Sequence, residues 1–221
     1  MEKVGEFEIS RVVESEVPFI EPNVFLPDFT PDAFEANKDW LLPRYADAAT
    51  GKLIFAFQSY IVRTPRHTIL VDTCVGNDKP REVKAWHMRQ GKFLEDLAEA
   101  GFPRERVDTV LCTHLHVDHV GWNTRLENGK WVPTFKNAKY VWSSEDYDFY
   151  KAIDSDPQKG PANAGSFRDS VLPVVEAGLA QIVSGAAALD ENLRIEPSPG
   201  HTPGTIAIQF ESQGSKVIYA G

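Results

Sequence analysis

Between Cys112 and Asn123 the chain reads "CTHLHVDHVGWN", which places three of its six histidines and an aspartate within the six positions His114 to His119. This run restricts the fold more than any other feature, because side chains so close in sequence can serve metal ions only in a particular local geometry. In an extended chain alternate side chains share a face, so His114 and His116 can turn their ring nitrogens to one ion. Asp118 and His119 follow where the backbone is expected to turn toward a helix, and they can face a second ion beside the first. Zinc takes three or four N/O ligands, so neither half-site is complete within the run. A further histidine must arrive from elsewhere, and His201, in the Gly/Pro-rich loop "SPGHTPGT", is the candidate.

The flanking sequence predicts how the run is presented. "VDTVLCT" reads as a buried strand delivering the chain into the histidines at its C-terminal end, where open α/β sheets place their sites. Upstream, "LIFAFQSYIVR" (53–63) and "TILVDT" are separated by "TPRH" and read as a hairpin. Phe93, Leu94, Leu97 and Ala98 stand at helical spacing, with Gly101 as the stop and Pro103 just beyond it. "KYVWS" predicts a short strand, and "SSEDYDFYKAI" a helix opened by serines and acids. "FRDSVLPVVEAGLA" continues helically, with Pro173 a kink or break. After the strand "LRIEP" and the His201 loop, a hairpin is predicted to turn at "SQGS". Residues 18–45 contain five prolines and several aromatics and are expected to form a loop-rich arm or lid on a single domain spanning 1–221.

The 221 residues suffice for a substantial core, and a net charge of −9 without Lys/Arg clusters argues against a phosphate-tracking surface. A small-molecule substrate is therefore expected, with no nucleic-acid partner. No run of about 18 apolar residues occurs, and "MEKVGEFEIS" lacks a signal-peptide core, so a cytoplasmic protein with no membrane partner is expected. The two cysteines, Cys74 and Cys112, are too few for a disulfide scaffold and read as buried free thiols.

"THLHVDHVG" with "GHTPG" downstream resembles the metallo-β-lactamase superfamily, and "ILVDTCVGN" is similar to the Asp-bearing strand and loop that this family places near its metals. The resemblance runs from about residue 53 to 221, and in the spacing to His201 it is closest to the methyl parathion hydrolase and acyl-homoserine lactonase branch. It implies an α+β fold, a four-layer αββα sandwich. It also implies that His114, His116 and His201 hold a first zinc ion and that Asp118 and His119 hold a second, with iron or manganese as alternative metals. The family further carries a bridging aspartate after an apolar strand ending in Gly, and a last histidine beyond it. The sequence ends at "VIYAG", before either, so a C-terminally truncated piece of a longer protein is expected.

The implied activity is hydrolysis of a small lactone, carboxylic ester or organophosphate triester by a metal-bridging hydroxide, with Asp118 orienting the water and passing on its proton. Asp72, Thr113 and Thr202 are expected to fix imidazole tautomers from behind the ligands. Trp122, Phe25 and Trp86 are expected to line an apolar substrate pocket. His67 and His87 are read as residues outside the site. Three alternatives stay open. One is a thioesterase of the glyoxalase II kind, disfavoured by the lack of a basic cluster for a glutathione-like carboxylate. Another is an iron persulfide dioxygenase, which shares the histidine pattern. The last is an inactive metal-binding or oligomerising module, with residues 18–45 as the arm of a homodimer.

Overall fold

In the computed structural model, which describes residues 2–154, 163 and 165–221, β1 (Glu2–Val4) and β2 (Phe7–Ile20) are followed by α1 (Pro22–Phe25) and α2 (Pro31–Leu41). The predicted hairpin forms as β3 (Leu53–Arg63) and β4 (Thr68–Val71). After α3 (Phe93–Glu99) come β5 (Thr109–Leu111), a small hairpin of β6 (Thr124–Glu127) and β7 (Lys130–Pro133), then β8 (Lys139–Ser143) and α4 (Ser144–Asp154). A π-helical turn, Phe167–Val171, leads into α5 (Leu172–Glu176). Pro173 stands in the first turn of α5, so it divides the two helical pieces as its missing N–H requires. The last strands are β9 (Ala180–Val183), β10 (Ala187–Ala188), β11 (Leu193–Pro197), β12 (Ile206–Ser212) and β13 (Ser215–Ala220).

Two sheets result. The larger has the order β1-β2-β3-β4-β5-β8-β9 and the smaller the order β10-β11-β12-β13. The strands β4, β5, β8 and β9 are parallel, with Val71 level with Leu111 and Leu111 with Val141. The smaller sheet is antiparallel. Its last hairpin turns at Gln213 (φ 51°) and Gly214 (φ 77°), the pair of positive φ values that a two-residue I′ turn demands.

The pleat explains why the central strands are apolar throughout. Ile69, Val71, Leu111 and Val141 share one core with Leu193, Ile195, Ile206, Ile208 and Phe210 of the smaller sheet. The alternate residues Leu70, Val110, Tyr140 and Trp142 belong to a second core with Phe93 and Leu97 of α3, Tyr150 of α4 and Val174 of α5. Strands buried on both faces cannot alternate apolar with polar, so they read as continuous runs. Each fully buried Leu, Ile or Phe contributes about 1.5–3 kcal/mol, and the two cores together fix helices, sheet and sheet as three successive layers of an αββα sandwich. On the outer face of β13, Ile218 is 60% exposed.

The chain, expected as one domain, divides into two compact units, residues 1–12 with 58–221 and residues 13–57, the division falling within β2 and β3. In the second unit, residues 18–45 carry two helices where loops were expected. Pro22 and Pro31 stand in the first turns of α1 and α2, where a fixed φ and a missing N–H cost nothing. Thr30 caps α2 by accepting from Ala33 N at 3.2 Å. Within this unit Phe25 packs edge-on against Phe55, their centroids 4.9 Å apart, and α2 buries none of its residues. Among the described residues no helix is long and apolar enough to cross a membrane. Cys74 and Cys112 are buried and form no disulfide.

Candidate metal centre

Three neighbouring parallel strands end at one edge of the larger sheet, and each delivers polar residues there. Asp72 follows β4, the run His114–His119 follows β5, and Ser143 and Asp146 stand at the junction of β8 and α4. His201 comes from the loop between β11 and β12 of the smaller sheet, and Ile206 N donates to Thr113 O at 2.9 Å to join that loop to the run. The loop after β4 is bent tightly, with Asp72, Cys74 and Asp78 all at positive φ (57°, 50° and 63°). Non-glycine residues adopt that region only when their surroundings hold them there. Here the hold is visible: Thr73 N donates to His119 O, Gly121 N to Cys74 O and Trp122 N to Thr73 O, at 2.7–2.8 Å. A Cβ on Gly121 would fall 1.9 Å from Val75 O, so only glycine lets the two segments approach this closely.

His114, His116 and His201 present ligand atoms that all lie within 4.8 Å of one another. His116 Nδ1 is 3.0 Å from His114 Nε2 and 2.9 Å from His201 Nε2. One ring nitrogen carries a single proton or a single lone pair, so His116 Nδ1 can satisfy only one of these neighbours by hydrogen bonding. A divalent cation at the centre would take all three lone pairs, and the donor set therefore fits the metal that the motif implies. Such a site needs neutral rings. His114 is 1% exposed, and burial, reinforced by the neighbouring histidines, drives its pKa far below the usual value. Burial and His201 likewise lower that of His116 to about 4.

Beside this triad, His119 Nδ1 is 2.8 Å from Asp72 Oδ2, and His119 Nε2 is 3.7 Å from Asp118 Oδ2. Burial works to neutralise the His119 ring, but the charge and hydrogen bond of Asp72, with Asp118 adding to them, outweigh it and raise the pKa to about 9. Asp118 Oδ2 and His119 Nε2 thus face each other beside the three histidines, with the His119 ring 4.0 Å from that of His114.

The residues expected behind the ligands divide. Asp72 accepts from Thr113 N and Thr113 Oγ1, each at 2.8 Å, while Thr113 Oγ1 lies 3.1 Å from His114 Nδ1. These contacts link Asp72 and Thr113 to two of the histidines. Thr202 instead pairs with Thr205, its hydroxyl 2.7 Å from Thr205 Oγ1, inside its own loop. The aromatic residues also separate. Trp122 is 4% exposed and stacks on Phe93 at 5.7 Å, which places it in the core behind the run. The three-residue spacing from the metal run misled because the 3-10 turn at Gly121–Asn123 points the indole inward. Trp86 is 8% exposed, and Phe25 belongs to the second unit. His67 pairs with Asp108 at 3.2 Å, and His87 Nδ1 lies 3.0 Å from Arg81 O.

Three residues near the site were not singled out by their sequence. Asn163 Oδ1 accepts from Val117 N at 2.8 Å. Asp146 and Tyr150, one helical turn apart, are the buried residues of α4. The Tyr150 ring lies edge-on to His116 at 5.9 Å. Their i, i+4 spacing was the available signal, hidden because Asp146 reads equally well as an ordinary acid at a helix start.

The profile of the metallo-beta-lactamase superfamily matches residues 58–221. The chain belongs to that superfamily, whose fold implies a bound metal. Among solved structures it is similar to a hydrolase of the beta-lactamase superfamily, AbOPH, at 23% identity and a TM-score of 0.78, covering all of this chain and 72% of that one. A probable metal-dependent hydrolase from Staphylococcus aureus is 19% identical with a TM-score of 0.75, covering all of this chain and 74% of the other. AidC, a dizinc quorum-quenching lactonase in complex with a product, is 22% identical with a TM-score of 0.73, over 98% of this chain and 71% of that one. No curated protein matches the chain.

Proposed function

We propose that this protein is a zinc-dependent hydrolase of a small, uncharged lactone, carboxylic ester or organophosphate triester. The observation that carries the reading is the convergence of His114 Nε2, His116 Nδ1 and His201 Nε2, three ring nitrogens that protons alone cannot satisfy. A bound divalent ion supplies Lewis acidity, which polarises a carbonyl or phosphoryl oxygen and makes water acidic enough to attack near neutral pH. The chain supplies the rest. Asp118, whose carboxylate is 24% exposed, accepts the proton of the attacking water and returns it to the leaving oxygen as general base and then general acid. Asp72 fixes the ring of His119 through Nδ1, leaving Nε2 to face Asp118. Thr113 and Asp72 hold the backbone from which His114 projects.

The net charge of −9 opposes binding of polyanions and suits a neutral small substrate. Similarity of fold to a quorum-quenching lactonase places lactones first in the panel to be tried. Zinc-loaded protein is expected to turn over at least one of an aryl ester, an acyl-homoserine lactone and an aryl phosphotriester. In Asp118→Asn, kcat/KM should fall by about 10²–10⁴-fold, the usual share of a positioned acid–base group, while zinc uptake at the three histidines persists. Equal rates in wild type and variant, or no turnover of any of the three by metal-loaded protein, would count against the proposal.

A further inference from the structure

Asp146 is a buried carboxylate with no part in the chemistry above, and its two oxygens hold the two ligand-bearing segments. Oδ2 accepts from Leu115 N at 2.9 Å, in the residue between His114 and His116. Oδ1 accepts from Gly204 N at 2.7 Å, three residues beyond His201. The residue is 0% exposed. Ser143 completes the contact, donating through Oγ to Gly204 O at 2.6 Å and accepting from Asp146 N at 3.2 Å. A Cβ on Gly204 would fall 2.3 Å from both Asp146 N and Ser143 Oγ, so glycine is required for the loop to seat here. His201 itself is exposed, and Gly200 before it lies at φ 152°. The position of this ligand thus depends on the anchors that follow it in the loop.

We infer that Asp146, with Ser143, is a positioning clamp that sets the affinity of the three-histidine site by holding the His201 loop in register with His114 and His116. This inference rests on the metal reading of those histidines. A backbone N–H bound to a carboxylate is a charge-assisted contact, and one carboxylate shared by two segments from different sheets transmits any shift of one to the other. Partners outside the ligand set commonly account for about 10–100-fold in metal affinity. Asp146→Asn keeps the shape but replaces one acceptor oxygen with an N–H₂ group that cannot accept, so one of the two segments is released.

The decisive experiment compares wild type, Asp146→Asn, Ser143→Ala and Asp169→Asn as full chains. Zinc affinity is read by competition with a chromophoric chelator, and amide exchange is read over residues 199–206. Asp169 is another buried carboxylate, hydrogen-bonded to Lys79 and Arg81 and serving neither ligand segment. Asp146→Asn is expected to weaken zinc binding by about 10–100-fold and to speed exchange in the His201 loop. Ser143→Ala should do both to a smaller extent, and Asp169→Asn should do neither even where it lowers the melting temperature. Folded Asp146→Asn with wild-type zinc affinity and wild-type exchange would overturn the inference. Should Asp146→Asn fail to fold, Ser143→Ala decides in the same way. Should the wild type take up no zinc, the metal reading fails, and the exchange data alone decide whether Asp146 clamps the loop.

Discussion

Replacing His116 with alanine is expected to lower zinc affinity by well over 100-fold, more than the roughly 10–100-fold that losing a partner behind the ligands costs. Its Nδ1 is the nitrogen shared between His114 and His201, so its removal leaves two donors where zinc requires at least three protein ligands or a close equivalent. The same substitution should leave the metal-free fold almost untouched. The ring is only partly buried, and its loss relieves the mutual desolvation of three facing imidazoles. Chelator competition on the purified variant, alongside a thermal melt without metal, separates the two effects. Wild-type zinc affinity in His116→Ala would show that the histidine cluster is not the metal site.

The second large effect concerns stability. Lys79 and Arg81 both reach Asp169 in the interior, so two cations face one carboxylate. Arg81 binds it through two nitrogens, at 2.6 and 2.8 Å, whereas Lys79 Nζ lies 3.4 Å from Oδ1. Burial pulls the Lys79 pKa down to about 7 although Asp169 opposes it. Arg81→Met removes the better partner of a buried charge and should destabilise the fold by about 3–5 kcal/mol. Lys79→Met leaves the Arg81–Asp169 pair intact. It also leaves the Thr124 hydroxyl bonded to Asp169 O, so nothing buried is orphaned and the cost should stay below about 1.5 kcal/mol. The pH dependence carries the same signature. Between about pH 7 and 10.5 the unfolded chain binds a proton at Lys79 that the folded chain has released, so wild-type stability rises with pH across that window. Lys79→Met should flatten the rise. Denaturant midpoints at several pH values measure both, and equal losses in the two variants would contradict the assignment of Arg81 as the principal partner.

Much of this architecture is written locally. The runs that became β3, β4 and β5 are apolar because both faces of the larger sheet are covered, and the turn at Gln213–Gly214 is encoded in two residues. The histidine pair His114 and His116 is legible for the same reason, since a two-residue spacing puts both on one face of an extended segment. What sequence left hidden depends on tertiary surroundings. Trp122 is a core residue because of the way the 3-10 turn points it, and Asp146 is a clamp because a loop from the other sheet passes over it. The helices within residues 18–45 are hard to read because prolines mark loops and helix starts alike.

His114, His116 and His201 are expected to form one metal site, and every effect on zinc follows from that. X-ray absorption at the zinc edge, on protein loaded with one equivalent of the metal, addresses it most directly. The expected spectrum shows an imidazole shell of three nitrogens at about 2.0–2.1 Å, reduced to two in His201→Ala. A sulfur shell near about 2.3 Å, or an imidazole count unchanged by that substitution, would contradict the account.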